Sequence, residues 1–279
     1  MKVSVIIPTY NEGEDIINCI ESLGRQTYLD FEIIVVDDGS SDLTYKRLSN
    51  LKKILKNFIL LRQHHKGAGS ARNLGAKYAR GEILVFVDAD MTFDRNFIGE
   101  LVKPIVDGNV KGVFSKNEFV ANWSNSLARC WNINEGWEDR KRHPKNYPSE
   151  QKVFRAILKS EFERVGGFTP GGYTDDYSLA EKLGYSAKAV NGAVFYHKNP
   201  DNLKEIYLQA RWAAKRRFKF GLLGFLIGLV RVSFPFSIIF GLAKSIYHHE
   251  PSFIIFKIVY DMGFFLGIFE YLFKGKVSK

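Results

Sequence analysis

Asp88 and Asp90 sit one residue apart, directly after the apolar run 83–87 (ILVFV). Five apolar residues in a row read as a fully buried strand. In an open parallel sheet, ligands bind in the crevice beyond the carboxyl ends of the strands. Carboxylates delivered to that edge suit a hard divalent cation and a phosphate held by it. Side chains alternate along a strand, so residues 88 and 90 are expected to face one site. Taken alone, an Asp-x-Asp is more often a surface turn, so its meaning depends on the elements around it.

Those elements alternate. Residues 2–10 (KVSVIIPTY) form the first expected strand. A helix follows from Asn11 or Glu12, with Ile16, Ile17, Ile20 and Leu23 at helical spacing. Residues 31–36 (FEIIVV) form the second strand, which runs into Asp37-Asp38-Gly39-Ser40-Ser41-Asp42, a turn with helix-capping chemistry. A third strand at 58–62, a basic glycine-containing loop at 64–69 and a helix at 70–79 ended by Gly81 lead into the aspartate strand. Strand–helix alternation of this kind implies a doubly wound α/β domain with a mainly parallel sheet. Pro8, Tyr10, Glu12, Asp38, Lys66, Asp88 and Asp90 all fall on one edge of that sheet, and this coincidence outweighs any single member.

Composition narrows the partners. The net charge is +10 and the isoelectric point near 9.4, which calls for an anionic partner. Phe contributes 23 residues, many of them late in the chain, and this tilts the expectation toward lipid and away from nucleic acid. Two cysteines, Cys19 and Cys130, exclude a disulfide framework and fit a reducing compartment. The first strand begins at once, leaving no room for a signal peptide.

Four motifs in this order and spacing, IIPTYNE, VVDDGSSD, GSARNLGA and FVDADM, span residues 3–91. The sequence resembles family 2 glycosyltransferases with the A-type nucleotide-sugar-binding fold, among them enzymes acting on polyprenyl or dolichyl phosphates and lipid-linked glycans. The resemblance implies that Pro8 and Tyr10 line a base pocket with Glu12 nearby, and that Asp38 binds the base or ribose. Tyr10 offers a flat stacking face for such a ring. Lys66 and Arg72 become candidates for the diphosphate. Asp88 would face the ribose, and Asp90 would ligate Mn2+ or Mg2+ bridging the phosphates.

Further along, Gly166-Gly167-Phe168 precedes Asp175-Asp176 at a helix start running through Leu183. In the resembling family a Glu-Asp pair stands there and its second acid is the catalytic base. Here the first position is Asp, and Asp176 is favoured over Asp175. Sugar transfer needs a carboxylate to take the proton of the attacking hydroxyl, while a metal stabilises the diphosphate leaving group. A histidine after a late strand can complete the metal site in A-type enzymes, which makes His197, after residues 191–196, a second candidate ligand. Gln209-Ala210-Arg211-Trp212 is one residue shorter than the Gln-x-x-Arg-Trp of processive members, so processivity is not inferred. Arg211 and Trp212 remain candidates for acceptor or diphosphate contact.

Residues 121–152 interleave Trp123, Trp131, Trp137 and Tyr147 with Arg129, Arg140, Lys141, Arg142 and Lys145, as in an acceptor-facing lid or a membrane-facing surface. Residues 220–243 are apolar except Arg231 and long enough to span a bilayer, but Arg231 and Pro235 suggest a broken or interfacial helix. Residues 253–273 are apolar with Lys257, Asp261 and Glu270, and Lys257 can pair with Asp261 across one helical turn. A hairpin with both ends in the cytosol and a pair of in-plane helices on anionic head groups both fit, and the charges favour the second.

The expectation is therefore a catalytic domain at 1–219 and a membrane-associated helical region at 220–279. The catalytic domain would face the cytosol at the cytoplasmic membrane. It would carry out inverting, metal-dependent transfer from a nucleotide-diphosphate sugar to a lipid-linked or glycan acceptor. A nucleotidyltransferase is the first rival, but PTYNE stands where its glycine- and lysine-rich phosphate loop belongs. A non-catalytic nucleotide-sugar-binding membrane protein is the second, and intact Asp90 and Asp176 argue against it.

Overall fold

A computed structural model describes residues 1–170, 175–214 and 221–274. Expectations resting on Tyr173, Thr174, Lys215, Arg216, Arg217, Lys219, Phe220, Lys276 and Lys279 lie outside the described residues, as does the side chain of Asp175. The chain forms two compact units. One comprises Met1–Phe119 with Asn146–His197, the other Val120–Lys145 with the chain from Lys198 on. The expected division at 219 and 220 follows composition, whereas the units follow contacts.

The strands are β1 (Val3–Thr9), β2 (Phe31–Asp37), β3 (Phe58–Arg62), β4 (Ile83–Phe86), β5 (Met91–Phe93), β6 (Gly112–Val120), β7 (Glu150–Gln151), β8 (Ala156–Leu158) and β9 (Ala187–His197). The helices of the first unit are α1 (Asp15–Leu23), α2 (Thr44–Lys52), α3 (Ala68–Tyr78) and α4 (Phe97–Val106), followed, after the α5 segment of the second unit (Ser126–Glu135), by α6 (Lys159–Arg164) and α7 (Asp175–Leu183). The sheet runs β3-β2-β1-β4-β8-β6-β9-β5, with β7 paired to β9. β3, β2, β1 and β4 are parallel; beyond β4 the pairs β4–β8, β6–β8, β5–β9 and β7–β9 are antiparallel. The sheet is thus mixed, with the doubly wound parallel part confined to the first four strands.

Alternation along β1 sorts the core into two layers. Val3, Val5 and Ile7 pack with Ile16, Ile20 and Leu23 of α1 and Phe97 and Leu101 of α4. Ile6 joins Ile34, Val36, Leu84 and Phe86 against Ala71 and Ala76 of α3, Phe162 of α6 and Leu179 of α7. Helix α3 lies so close on the sheet that a Cβ on Gly75 would come within 2.6 Å of Ile6 Cγ2. Glu32, fully buried in β2, is held by Ser4 Oγ at 2.7 Å, Arg80 N at 2.7 Å and Arg80 Nε at 2.9 Å.

Several boundaries differ from the sequence expectation for local reasons. Helix α1 starts at Asp15, because Asn11 adopts a left-handed backbone (φ 57°) that short polar residues tolerate. β4 ends at Phe86, and the aspartates occupy a tight turn closed by Met91 N–H donating to Asp88 O at 3.2 Å. Strand alternation therefore does not place residues 88 and 90. β6 continues to Val120, past the apolar stretch, because its polar second half pairs with β9.

The second unit is helical. It holds α5 together with α8 (Leu203–Ala213), α9 (Gly221–Arg231), α10 (Phe234–Tyr247) and α11 (Phe253–Lys274). Trp131 lies buried among Cys130, Ile206, Phe253 and Phe256, so this tryptophan is core and not a surface residue. α8 and α11 approach closely because Gly263 and Gly267 leave room for the backbone carbonyls of Tyr207 and Arg211. Lys257 pairs with Asp261 at 2.6 Å, as the spacing predicts, and Ser237 Oγ donates to the same carboxylate at 2.7 Å. The long apolar stretch breaks between Arg231 and Phe234 with a 61° bend. Among the described residues no single helix is long and apolar enough to cross a membrane, although the bent pair passes that test together.

Candidate active site

At the carboxyl end of β1, Asn11 ties two loops together. Its Oδ1 accepts from Ser41 N at 2.8 Å, and its N–H donates to Ser40 Oγ at 2.9 Å. This leaves Tyr10 exposed above the loop after β2, while Pro8 is buried within β1. Asp38 is buried and accepts from Lys66 N at 2.9 Å, Gly67 N at 2.8 Å and Gln63 Nε2 at 2.7 Å. His65 Nδ1 lies 3.0 Å from its other face. Lys66 thus reaches Asp38 through its backbone, with its ammonium exposed.

The centre of the arrangement is Asp88. Arg72 Nη2 donates to its Oδ1 at 2.7 Å and Arg155 Nη1 to its Oδ2 at 3.2 Å. Burial pushes the Asp88 carboxyl up, but Arg155 and Arg72, with His197 behind them, outweigh it and hold the group well below the usual carboxylate range. Arg72 also donates through Nη1 to Asp176 Oδ1 at 2.5 Å. One guanidinium therefore joins residues 104 positions apart in the chain. Helix α3 delivers Arg72, and the first turn of α7 delivers Asp176.

Beside this lies a second chain of contacts. His197 Nε2 is 2.9 Å from Asp90 Oδ2, and His197 Nδ1 is 2.8 Å from Glu118 Oε1. Register explains both: His197 ends β9 opposite Met91 of β5, next to Asp90. Glu12 completes the cluster. Its Oε2 is buried with no hydrogen-bond partner, and burial, then Asp90 and Asp88, raise its carboxyl well above the usual range. Among the described residues no group of three or more His, Cys, Asp or Glu side chains is arranged to hold a metal ion by itself.

The raised Glu12 group has a measurable consequence. Its folded-state affinity for a proton exceeds that of the unfolded chain, so it weakens the fold once the pH passes the unfolded carboxyl value, and fully so above its folded value. Below the unfolded value both states are protonated and the effect vanishes. Glu12→Gln should therefore raise the urea midpoint in EDTA at pH 7 and leave it unchanged near pH 3. Equal midpoints at both pH values would contradict the burial argument.

The Arg211 guanidinium bonds Glu270 within the helical unit, and Trp212 is 41% exposed. Arg155 and Glu118 are functional candidates that the sequence reading missed. Arg155 stands just before the short β8, and Glu118 lies in the polar second half of β6. A charged residue next to a strand otherwise built from apolar residues was the available signal for Arg155. Nothing local marks Glu118.

The glycosyl transferase family 2 profile matches residues 4–166, more than half of the chain. The chain belongs to glycosyl transferase family 2. Its fold is the A-type. The chain is 35% identical over 127 residues to the dolichol-phosphate mannosyltransferase of Pyrococcus furiosus, covering 44% of this chain and 36% of that protein. It is 34% identical over 121 residues to the UDP-Glc:alpha-D-GlcNAc-diphosphoundecaprenol beta-1,3-glucosyltransferase WfgD of Escherichia coli, covering 43% and 47%. Each match spans less than half the length of the relative. Among solved structures it is similar to the mannosyltransferase PcManGT of Pyrobaculum calidifontis, in complex with GDP-Man and Mn2+. That likeness has a TM-score of 0.64 at 21% identity over 99% of this chain and 88% of the other.

Proposed function

We propose that this glycosyltransferase moves a sugar from a nucleotide-diphosphate sugar to a hydroxyl of a lipid-linked or glycan acceptor at a membrane, inverting the anomeric centre. The observation that supports this most is the continuous run Asp176–Arg72–Asp88–Arg155, with Asp90–His197–Glu118 beside it. A carboxylate suited to proton removal stands there next to cations suited to a diphosphate.

In this reading Asp176 accepts the proton of the acceptor hydroxyl as that oxygen attacks the anomeric carbon. Arg72 and Arg155, oriented by Asp88, face the developing charge of the departing diphosphate. Tyr10 and Asp38 hold the base, and Arg211 and Trp212 are proposed acceptor contacts.

The donor set fits Mn2+ or Mg2+. An octahedral ion with bonds of about 2.1 Å sets neighbouring donors about 3 Å apart, and Asp90 Oδ2 and His197 Nε2 stand 2.9 Å apart. One or two protein ligands plus substrate phosphates is the usual arrangement for such a cation. Glu118 then orients the imidazole from its other nitrogen. When bound, the cation would stabilise charge on the leaving diphosphate.

A membrane acceptor is supported by the C-terminal helices, where Phe234, Ile239, Ile246 and Phe273 are exposed. A cavity of about 600 Å³ in the helical unit is lined by Arg231, Lys244 and Lys257 with Glu135 and Asp261, beside Phe240 and Phe264, a net positive apolar lining that suits an anionic lipid head. The names of two relatives point the same way, one acting on dolichol phosphate and one on a diphosphoundecaprenol glycan.

A thermal-shift screen of UDP-, GDP- and dTDP-sugars with and without Mn2+ tests the donor class. Ligand at about 100 times its Kd stabilises the folded state by about 2.7 kcal/mol, a rise of several degrees in Tm. At least one sugar nucleotide should give that rise, and a larger one with Mn2+. No shift with any of them would overturn the reading.

A further inference from the structure

The base end of this site contains a ring of the protein's own. His65 stacks on Tyr10 with centroids 4.2 Å apart and planes 30° from parallel. The same imidazole places Nδ1 at 3.0 Å from Asp38 Oδ2, and its side chain is half exposed. We infer that His65 is a placeholder: its imidazole stands where the nucleobase of the donor binds, and the base must displace it to reach Tyr10 and Asp38. The inference rests on the nucleotide-sugar reading above and adds which bases the site accepts.

A carboxylate offers about four lone-pair sites, two on each oxygen. Gln63 Nε2 and Lys66 N bond Asp38 Oδ1, at 2.7 and 2.9 Å, and Gly67 N bonds Oδ2 at 2.8 Å. His65 Nδ1 stands 3.0 Å from Oδ2, on the side that these three donors leave open. An incoming base can reach this carboxylate only by taking the place of His65 or of one of the three donors. The two backbone donors are fixed where the chain enters α3. Gln63 is also held through its Oε1, which accepts from Ser70 Oγ at 3.5 Å. Among the described groups around Asp38, His65 is the exposed side chain that can swing into solvent, and it also covers the Tyr10 face.

What His65 offers suggests what replaces it: a flat ring stacked on Tyr10 with a ring nitrogen beside a buried carboxylate. Uracil, thymine and guanine present a ring N–H on the Watson–Crick edge. Cytosine and adenine present a bare ring nitrogen there, and they donate to Asp38 only if the ring shifts to bring the neighbouring amino group into place. The site therefore favours uridine, thymidine or guanosine diphosphates over cytidine and adenosine diphosphates. The displacement also lowers apparent affinity, because only the fraction of molecules with His65 swung out is competent to bind.

Isothermal titration of the full chain with UDP, dTDP, GDP, CDP and ADP, at constant Mn2+, tests both statements. At least one of the first three should bind about tenfold or more tightly than CDP and ADP. His65→Ala should bind that nucleotide about three- to tenfold more tightly than the wild type, the gain expected if the open fraction is roughly 0.1–0.3. His65→Asn keeps a donor for Asp38 and guards against a disordered loop in the alanine variant; it should also tighten binding. Unchanged or weaker binding in both variants overturns the placeholder while leaving nucleotide binding intact. Equal affinity for all five nucleotides overturns the base selection. No binding of any nucleotide by any of the three chains overturns the donor reading itself, and this inference with it.

Discussion

Asp176→Asn should lower kcat by about 10²- to 10⁴-fold, the usual contribution of a positioned general base. The donor KM should stay within about threefold, because the lost proton transfer belongs to the transition state and not to donor binding. Geometry supports that separation. Arg72 exchanges a charged partner for a neutral one in the variant and keeps Asp88 at 2.7 Å, so the guanidinium stays near its place. Asn preserves the shape of Asp and accepts from Arg72 through its amide oxygen, so the fold is kept. Steady-state rates with donor and acceptor varied in turn would measure both quantities. A kcat within about threefold of wild type would shift the chemistry to an acceptor that is already anionic, such as a lipid phosphate, which needs no base.

Asp90→Asn should be as damaging for a different reason. Amides are poor ligands for hard cations beside a carboxylate, so the variant should lose the metal partner of the diphosphate. Removing a single preorganised group that stabilises transition-state charge costs about 10²- to 10³-fold in kcat, and the loss of a whole cation should reach at least that. Titration of Mn2+ in the presence of nucleoside diphosphate provides a reading independent of turnover. Wild type should bind with a heat that Asp90→Asn lacks. Glu118→Gln should weaken the same binding about 10- to 100-fold, through the imidazole it orients. EDTA should silence the wild type and Mn2+ restore it. Full activity of Asp90→Asn in EDTA would remove the metal from the mechanism.

These two predictions concern residues at sequence positions 90 and 176, in turns that share no element. Asp90 meets His197 and Glu118, whereas Asp176 meets Arg72. Asp88 links the two groups, since Arg72 bonds both it and Asp176, and His197 contributes to its lowered proton affinity. Arg155 senses the same set: Asp88, Glu118 and Asp176 together outweigh its burial and strengthen its hold on the proton.

The sequence by itself determined the alternating strands and helices of the N-terminal half, because each strand is a mainly apolar run and each helix follows a polar, turn-forming stretch. It also determined which residue types crowd the carboxyl edge, and the family to which they belong. Local pattern went further in the C-terminal helices, where four-residue spacing alone predicted the Lys257–Asp261 pair. Only the tertiary structure decided how the carboxylates meet. Residues 88 and 90 sit in a turn closed by Met91, so strand alternation, a local rule, has no force there. Arg155 and Glu118 enter the cluster through antiparallel pairing of β8 with β4 and the sheet position of β6, contacts made between segments 67 and 79 residues apart from their partners. Periodicity reads neighbours along one element; pairing between distant strands is fixed by the packing of the whole sheet, and no single stretch of sequence encodes it.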